Sequence, residues 1–223
     1  MDLLIFDLDG VLIDSEVLAA RAIADVLHDD GFPVSAEEMI ERFVGVSNAR
    51  VIDVLSHEHG RPIAEDFIDR AMAAMAALFE AELAPIPGAP ETLPKLSAPK
   101  CVASNSPPDY VARALDLTDL RAHFDGAALF SAAMVDRPKP APDLFLHAAD
   151  WAGVAAGDCL VIEDSIAGVE AARAAGMAVY GFVGAGHLRD PKAHAERLAR
   201  HGARQVFHDF RDLPALLEEH LVG

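Results

Sequence analysis

The chain has 223 residues, and its 18 Lys and Arg against 36 Asp and Glu give a formal net charge of −18 at pH 7. At roughly 100–200 residues per domain, this length allows one large domain or two unequal ones. Nucleic acids and membrane surfaces are anionic, so the charge argues against either as a partner, and it makes an anionic small ligand unexpected unless positive charge is concentrated at one point.

Six short runs that are almost continuous in apolar residues predict strands buried on both faces. In chain order they are Leu3–Leu8, Lys100–Ser104, Ala127–Phe130, Cys159–Ile162, Ala178–Phe182 and Gln205–Phe207. Between the later strands lie segments with helical spacing, at Asp109–Leu115, Asp143–Ala152, Ile166–Ala175 and Lys192–His201. Strands that alternate with helices predict parallel pairing through right-handed crossovers, which gives an α/β fold with a doubly wound parallel sheet.

The alternation breaks after the first strand, where a long stretch carries helical patterns only. Its predicted helices are Ser15–His28, Glu37–Phe43, Arg50–His57 and Ala64–Leu83. The stretch ends at a Pro- and Gly-rich run between residues 84 and 90, which makes a stiff connection. We therefore expect an α/β core at residues 1–13 and 85–223, with a four-helix domain inserted at residues 14–84.

The cysteines and the N-terminus bear on compartment. Cys101 and Cys159 each begin an apolar run, which favours reduced core thiols over a disulfide. The sequence starts with an acid at position 2 and no basic leader, and no apolar run approaches the ~20 residues of a membrane span. We expect a cytoplasmic protein that acts as a monomer.

The first motif is a pair of acids, Asp7 and Asp9, at the end of the first strand. Side chains alternate along a strand, so both carboxylates point to the same side. Two carboxylates at the end of a buried strand repel each other and lose hydration, so the pair requires a cation or a shared proton.

Glu163 and Asp164 likewise follow a predicted strand, at the end where α/β sheets place their ligands. Together with Asp7 and Asp9 they could line a Mg²⁺ site, because that ion prefers a few carboxylates, waters and phosphate oxygens. Alternatively, Asp164 or Ser165 caps the helix that follows, which is compatible with metal binding by the other residues.

Two further motifs lie at strand ends. The run from Ser104 to Ser106 could hold phosphate oxygens through a hydroxyl and backbone N–H groups, although it is also typical of an ordinary turn and cap. Lys139 lies among three prolines, which restrict its backbone and could direct its charge at a phosphoryl group, although a lone loop lysine is usually solvated. Because parallel strands bring all these ends to one edge, the set suits phosphoryl transfer.

The four motifs together, in this order and over essentially the whole chain, resemble the haloacid dehalogenase superfamily. The inserted helices resemble the cap of the branch that contains β-phosphoglucomutase and many sugar-phosphate phosphatases. Residues 14–17, 42–46 and 51–60 are most similar to the 6-phosphogluconate phosphatase type. The resemblance implies a Mg²⁺-dependent phosphatase that hydrolyses a small phosphate monoester, such as a sugar or sugar-acid phosphate, through an aspartyl-phosphate intermediate.

The resemblance also implies residue roles. Asp7 is the expected nucleophile, and Asp9 the expected general acid and base. Ser104 and the N–H of Asn105 are expected to hold the phosphoryl oxygens, and Lys139 to neutralise their charge. The implied metal ligands are Asp7, Asp9 through its backbone carbonyl, Glu163 directly or through water, and Asp164. The implied substrate contacts in the inserted domain are Ser15, Glu16, Arg21, Gly45, Asn48 and Arg50, with Arg21 or Arg50 as the cation for a sugar acid.

Two alternatives remain open. In the mutases of this branch a His follows four residues after the position of Ser15, where this chain has Ala19, and an Arg follows Gly-Val-Ser, where it has Asn48. Both departures favour hydrolysis over isomerisation. The other alternative is a phospho-receiver signalling domain, which the large helical insertion and the acid at Asp9 oppose.

Overall fold

The structure, a computed structural model, describes residues 1–43, 46–124 and 128–222, with side chains as far as residue 218. The chain divides into two compact units: Met1–Asp14 with Ala84–Gly223, called here the α/β unit, and Ser15–Leu83, called the helical unit. That residues 14–84 act as a cap domain stays a prediction. In the described part of the chain no helix is both long and apolar enough to cross a bilayer.

The α/β unit is built on a parallel sheet, with six strands among the described residues. They are β1 (Leu3–Phe6), β2 (Lys100–Ser104), β3 (Leu129–Ser131), β4 (Cys159–Glu163), β5 (Ala178–Phe182) and β6 (Gln205–Phe207). Their order is β3-β2-β1-β4-β5-β6, and every pair is parallel. The order runs in opposite directions on the two sides of β1, which makes its carboxyl end a topological switch point. The predicted fold class is confirmed.

Two strand limits differ from the prediction in ways that matter for the site. β1 ends at Phe6 rather than Leu8, because the carbonyl of Leu8 accepts hydrogen bonds from three following N–H groups and the chain turns there. β4 runs one residue further than predicted, so Glu163 is the last residue of a fully buried strand. Ala127, the predicted start of the third strand, lies outside the described residues.

The helical unit contains, where it is described, the helices α1 (Glu16–Asp29), α2 (Ala36–Phe43), α3 (Asn48–His59) and α4 (Phe67–Glu82). Their apolar faces form a core of their own, which includes the fully buried Leu27 and Leu55. α3 begins before the predicted Arg50, because the Ser47 hydroxyl accepts a hydrogen bond from the Arg50 N–H at 3.4 Å and caps the helix. It ends at Gly60, whose φ of 65° is a left-handed conformation that favours glycine.

The described helices of the α/β unit are α5 (Ala89–Thr92), α6 (Pro108–Leu117), α7 (Asp143–Ala152), α8 (Ile166–Ala174), α9 (Pro191–His201) and α10 (Leu213–Val222). The first residues of α6 and α9 are prolines, whose fixed φ and missing N–H suit a first turn. The sequence patterns above predict neither α5 nor α10. Helices α7 and α8 pack their alanine-rich faces into the sheet's core, with Ala148 and Ala171 fully buried.

Candidate active site

The polar groups of the site follow the carboxyl ends of the central strands. Phe6 of β1 pairs with Val102 of β2 and with Ile162 of β4. The N–H of Asp7 continues this ladder by donating to the carbonyl of Ile162 at 3.0 Å. The register therefore brings Asp7 beside Glu163, as expected for acids that end neighbouring parallel strands.

Lys139 joins these two carboxylates. Its Nζ donates to Asp7 Oδ1 at 2.8 Å and to Glu163 Oε2 at 2.9 Å. The side chains of Lys139, Asp7 and Glu163 are 4%, 12% and 0% exposed. The alternative of a solvated lysine is therefore wrong: Lys139 is buried and charge-paired, because a buried ammonium requires carboxylate partners.

The electrostatics of the site indicate a deficit of positive charge. Burial, and next the charge of Glu163, raise the pKa of Asp7 to about 8, although Lys139 acts in the opposite direction. Burial disfavours the charged form of Lys139, but Asp7 and Glu163 outweigh it and raise its pKa above the ordinary range. With both carboxylates ionised, their negative charge would exceed what one lysine offsets.

Asp7, Glu163 and Asp164 place oxygen atoms within 4.8 Å of one another. Glu163 is already engaged on both oxygens: Oε2 accepts from Lys139, and Oε1 accepts from the N–H of Ser165 at 3.0 Å and from its Oγ at 2.7 Å. The site fits a divalent cation, since oxygen donors and uncompensated negative charge are what Mg²⁺ prefers. Direct ligation by Asp7 and Asp164 stays a prediction, and the two engaged oxygens of Glu163 suit outer support better than direct coordination.

Gly10 explains how Asp164 comes so close to the first motif. A Cβ at this position would clash with the Asp164 carboxylate, and φ is 74°, which favours glycine.

Asp164 does not cap α8, the helix that follows it. That part is taken by Ser165, whose hydroxyl accepts a hydrogen bond from the N–H of Gly168 at 3.0 Å. The cap and the carboxylate cluster thus use different residues, as one of the sequence alternatives allows.

Asp9 is held by two hydroxyl groups. Ser106 Oγ donates to Asp9 Oδ2 at 2.9 Å, and Tyr110 Oη donates to Asp9 Oδ1 at 2.7 Å. Ser106 belongs to the run expected to hold phosphate oxygens, and its bond to Asp9 was not predicted; Tyr110 was given no role, and its only sequence signal is its place one helical turn beyond Ser106. The use of the Asp9 backbone carbonyl as a metal ligand stays a prediction.

Ser104 and Asn105 lie at the end of β2. The Ser104 hydroxyl accepts a hydrogen bond from the Ser106 N–H at 3.0 Å, so the turn interpretation holds for this residue. The Asn105 side chain makes a reciprocal pair of hydrogen bonds with the backbone of Lys139: its Oδ1 accepts from the N–H at 3.0 Å, and its Nδ2 donates to the carbonyl at 3.1 Å. Asn105 thereby fixes the loop that carries Lys139. Phosphate binding by these residues stays a prediction.

The expected substrate contacts of the helical unit lie in different settings. Glu16 and Asn48 line a cavity of about 300 Å³ whose other walls are apolar. Arg21 donates to both carboxylate oxygens of Glu82, at 2.9 and 2.5 Å. Arg50 is exposed at the first turn of α3, and Ser15 is buried just before α1. Gly45 lies outside the described residues.

The buried lysine–carboxylate group lies at the switch point of a parallel sheet, which is where α/β enzymes of this architecture bind their ligands. The chain belongs to the haloacid dehalogenase-like hydrolases: the sequence pattern of that family matches residues 4–182. The resemblance inferred from the four motifs is thereby confirmed.

Known proteins of this family align along most of the chain. The 6-phosphogluconate phosphatase of Escherichia coli (strain K12) is 36% identical over 178 residues, which cover 79% of this chain and 80% of that protein. A haloacid dehalogenase-like protein from Agrobacterium tumefaciens has a solved structure with a TM-score of 0.89 and 37% identity, and the match covers 99% of each chain. A family hydrolase from Deinococcus radiodurans, solved with bound phosphate and sodium, has a TM-score of 0.86 and 32% identity and covers 98% of this chain and 96% of its own.

Proposed function

We propose that the protein is a Mg²⁺-dependent phosphatase that hydrolyses a small phosphate monoester through an aspartyl-phosphate on Asp7. The observation that carries the proposal is the buried Lys139, which is bonded to Asp7 and Glu163 beside Asp164 at the switch point of the sheet. A carboxylate held by a cation among further metal-binding carboxylates suits attack on an anionic ester. The similarity to the 6-phosphogluconate phosphatase of Escherichia coli supports the same reaction.

Asp7, Asp9 and Lys139 take different roles in the proposed reaction. An Asp7 oxygen attacks phosphorus, and the bond between phosphorus and the leaving oxygen breaks while Asp9 donates a proton to that oxygen. Asp9 then takes a proton from a water molecule, whose oxygen attacks the phosphorus and releases phosphate and Asp7. Lys139 offsets negative charge throughout. When held by Asp7, Asp164 and the Asp9 carbonyl, Mg²⁺ supplies the positive charge that reduces repulsion between Asp7 and the ester.

For the substrate we propose a sugar or sugar-acid phosphate, with Arg50 as the residue that recognises an acidic group. The helical unit contains five arginines and no lysine. Three of the arginines form ion pairs, and Arg61 stacks on a phenylalanine ring and donates to a backbone carbonyl. Among the described residues, Arg50 is the one whose side chain has no such partner. Arg21 would have to break its pair with Glu82, so Arg50 is the better of the two expected donors.

A panel of phosphate esters with Mg²⁺ tests the reaction, with free phosphate and isomerised sugar phosphate both measured. Asp7→Asn should abolish phosphate release, by at least about 10⁴-fold, because the amide is a poor nucleophile. Asp2→Asn is the matched control: this acid lies just before β1 with a side chain 72% exposed, and its loss should leave the rate unchanged.

Two other results would contradict the proposal. Formation of an isomer in place of free phosphate would indicate a phosphomutase. Stable labelling by acetyl phosphate without turnover of any ester would indicate a phospho-receiver domain.

A further inference from the structure

We propose that Tyr110, together with Ser106, is a positioning residue that fixes the Asp9 carboxylate for proton transfer to the leaving group. We call these three side chains the Asp9 clamp. The inference rests on the proposed function. It adds Tyr110, which lies outside the four motifs, and Ser106, for which the resemblance implies no role. It predicts that loss of the Tyr110 hydroxyl lowers the rate more for esters whose leaving oxygen is more basic.

The clamp engages both carboxylate oxygens of Asp9. Ser106 donates to one carboxylate oxygen at 2.9 Å and Tyr110 donates to the other at 2.7 Å. A single donor would let the carboxylate turn about the bond to it, whereas donors on different oxygens fix its plane. A carboxylate oxygen has two lone pairs, so accepting one hydrogen bond does not by itself prevent it from exchanging a proton.

Both donors are themselves held by the protein. The carbonyl of Ser106 accepts from the buried Ser131 hydroxyl at 2.7 Å, and its N–H donates to Ser104 Oγ at 3.0 Å. Tyr110 lies in the first turn of α6, which begins at Pro108 and is preceded by another proline. Prolines restrict the backbone there. The hydroxyls are therefore positioned by backbone structure and not by solvent.

Two aryl esters of similar shape give a sharp test. Phenyl phosphate releases a strongly basic phenolate, which needs protonation, whereas p-nitrophenyl phosphate releases a weakly basic one, which does not. The quantity to compare is kcat/KM, because it reports the steps as far as formation of the phosphoenzyme. We expect Tyr110→Phe to lower it roughly tenfold for phenyl phosphate and less than about twofold for p-nitrophenyl phosphate. Ser106→Ala should show the same contrast.

Three controls separate positioning from folding. Tyr180→Phe removes the chain's other tyrosine hydroxyl, which donates to the Leu216 carbonyl at 3.5 Å, and should change neither rate. Melting temperatures report whether each variant is folded. In an Asp9→Asn background, Tyr110→Phe should cause no further loss, because the clamp acts only through the Asp9 carboxylate.

An equal loss for both esters, or a further loss in the Asp9→Asn background, would overturn the inference and leave a structural role for Tyr110. The proposed function would survive that result. It fails separately, if Asp7→Asn retains phosphate release.

Discussion

The α/β unit contains a buried charge cluster at the end of its sheet, whereas the described ion pairs of the helical unit lie at least partly exposed. In the α/β unit, Lys139, Asp7 and Glu163 are buried and bonded to one another. In the helical unit, Arg21 and Glu82 pair at the surface, with side chains 40% and 45% exposed. Burial makes an unpaired charge costly, so buried charges have to be arranged with their partners, whereas water screens exposed pairs. The buried cluster of the α/β unit therefore indicates the reaction directly. In the helical unit, the residue that recognises the substrate can be inferred only by setting aside the arginines that already have partners.

Among the tests of this contrast between buried and exposed charge, the largest effect should come from removing the buried cation. Lys139→Met leaves two buried carboxylates without their ammonium, so we expect kcat/KM to fall on the order of 10²–10³-fold, as when a preorganised electrostatic group is lost. Without added Mg²⁺ the melting temperature should fall as well, because the remaining charges repel. Lys192→Met in α9, an exposed lysine, is the control and should change neither quantity. Equal effects of the two substitutions would remove the contrast between buried and exposed charge.

Metal affinity is expected to depend on the close contact at Gly10. Gly10→Ala would push a methyl group into the Asp164 carboxylate, so we expect Mg²⁺ affinity to fall roughly 10–100-fold, as for other disturbances next to a metal ligand. Gly153→Ala is a matched control, because its φ of 66° imposes similar backbone strain while a Cβ there meets no atom within 4 Å. The Mg²⁺ dependence of activity gives the affinity. If Gly153→Ala weakens it as much, strain and not the Asp164 contact is responsible.

Burial also determines how much of the site could be predicted from the sequence. Asp7 and Glu163 follow buried strands, and a carboxylate in that position has few explanations other than a site, so the acids and their common edge were predictable. The donors to Asp9 were not, because they depend on how one turn of α6 aims Tyr110. Nor was the pair between Asn105 and the Lys139 backbone, whose residues are 34 positions apart. Side-chain partners distant in sequence leave no local pattern.

Within the helical unit, we expect specificity to follow Arg50. Arg50→Ala should raise KM for 6-phosphogluconate roughly tenfold, as for the loss of a charged hydrogen bond, and leave KM for glucose 6-phosphate unchanged. The comparison of an acidic with a neutral sugar phosphate isolates recognition of the carboxylate from recognition of the phosphate. If both KM values rise together, Arg50 contacts a feature common to the two esters or acts through α3. A rise with Arg21→Ala instead would show that the pair with Glu82 opens during catalysis.

The smallest effect is expected from the Arg21–Glu82 pair itself. Arg21→Ala, Glu82→Ala and the double variant should each keep kcat/KM within about twofold and leave the melting temperature unchanged within error, because an exposed pair gains little over its hydration. The double-mutant cycle measures any coupling directly. A coupling energy as large as that between Lys139 and Asp7 would contradict this expectation. It would mean that the two short hydrogen bonds to the Glu82 carboxylate stabilise the helical unit despite their exposure to water. Since water reaches both side chains, we expect a coupling free energy close to zero.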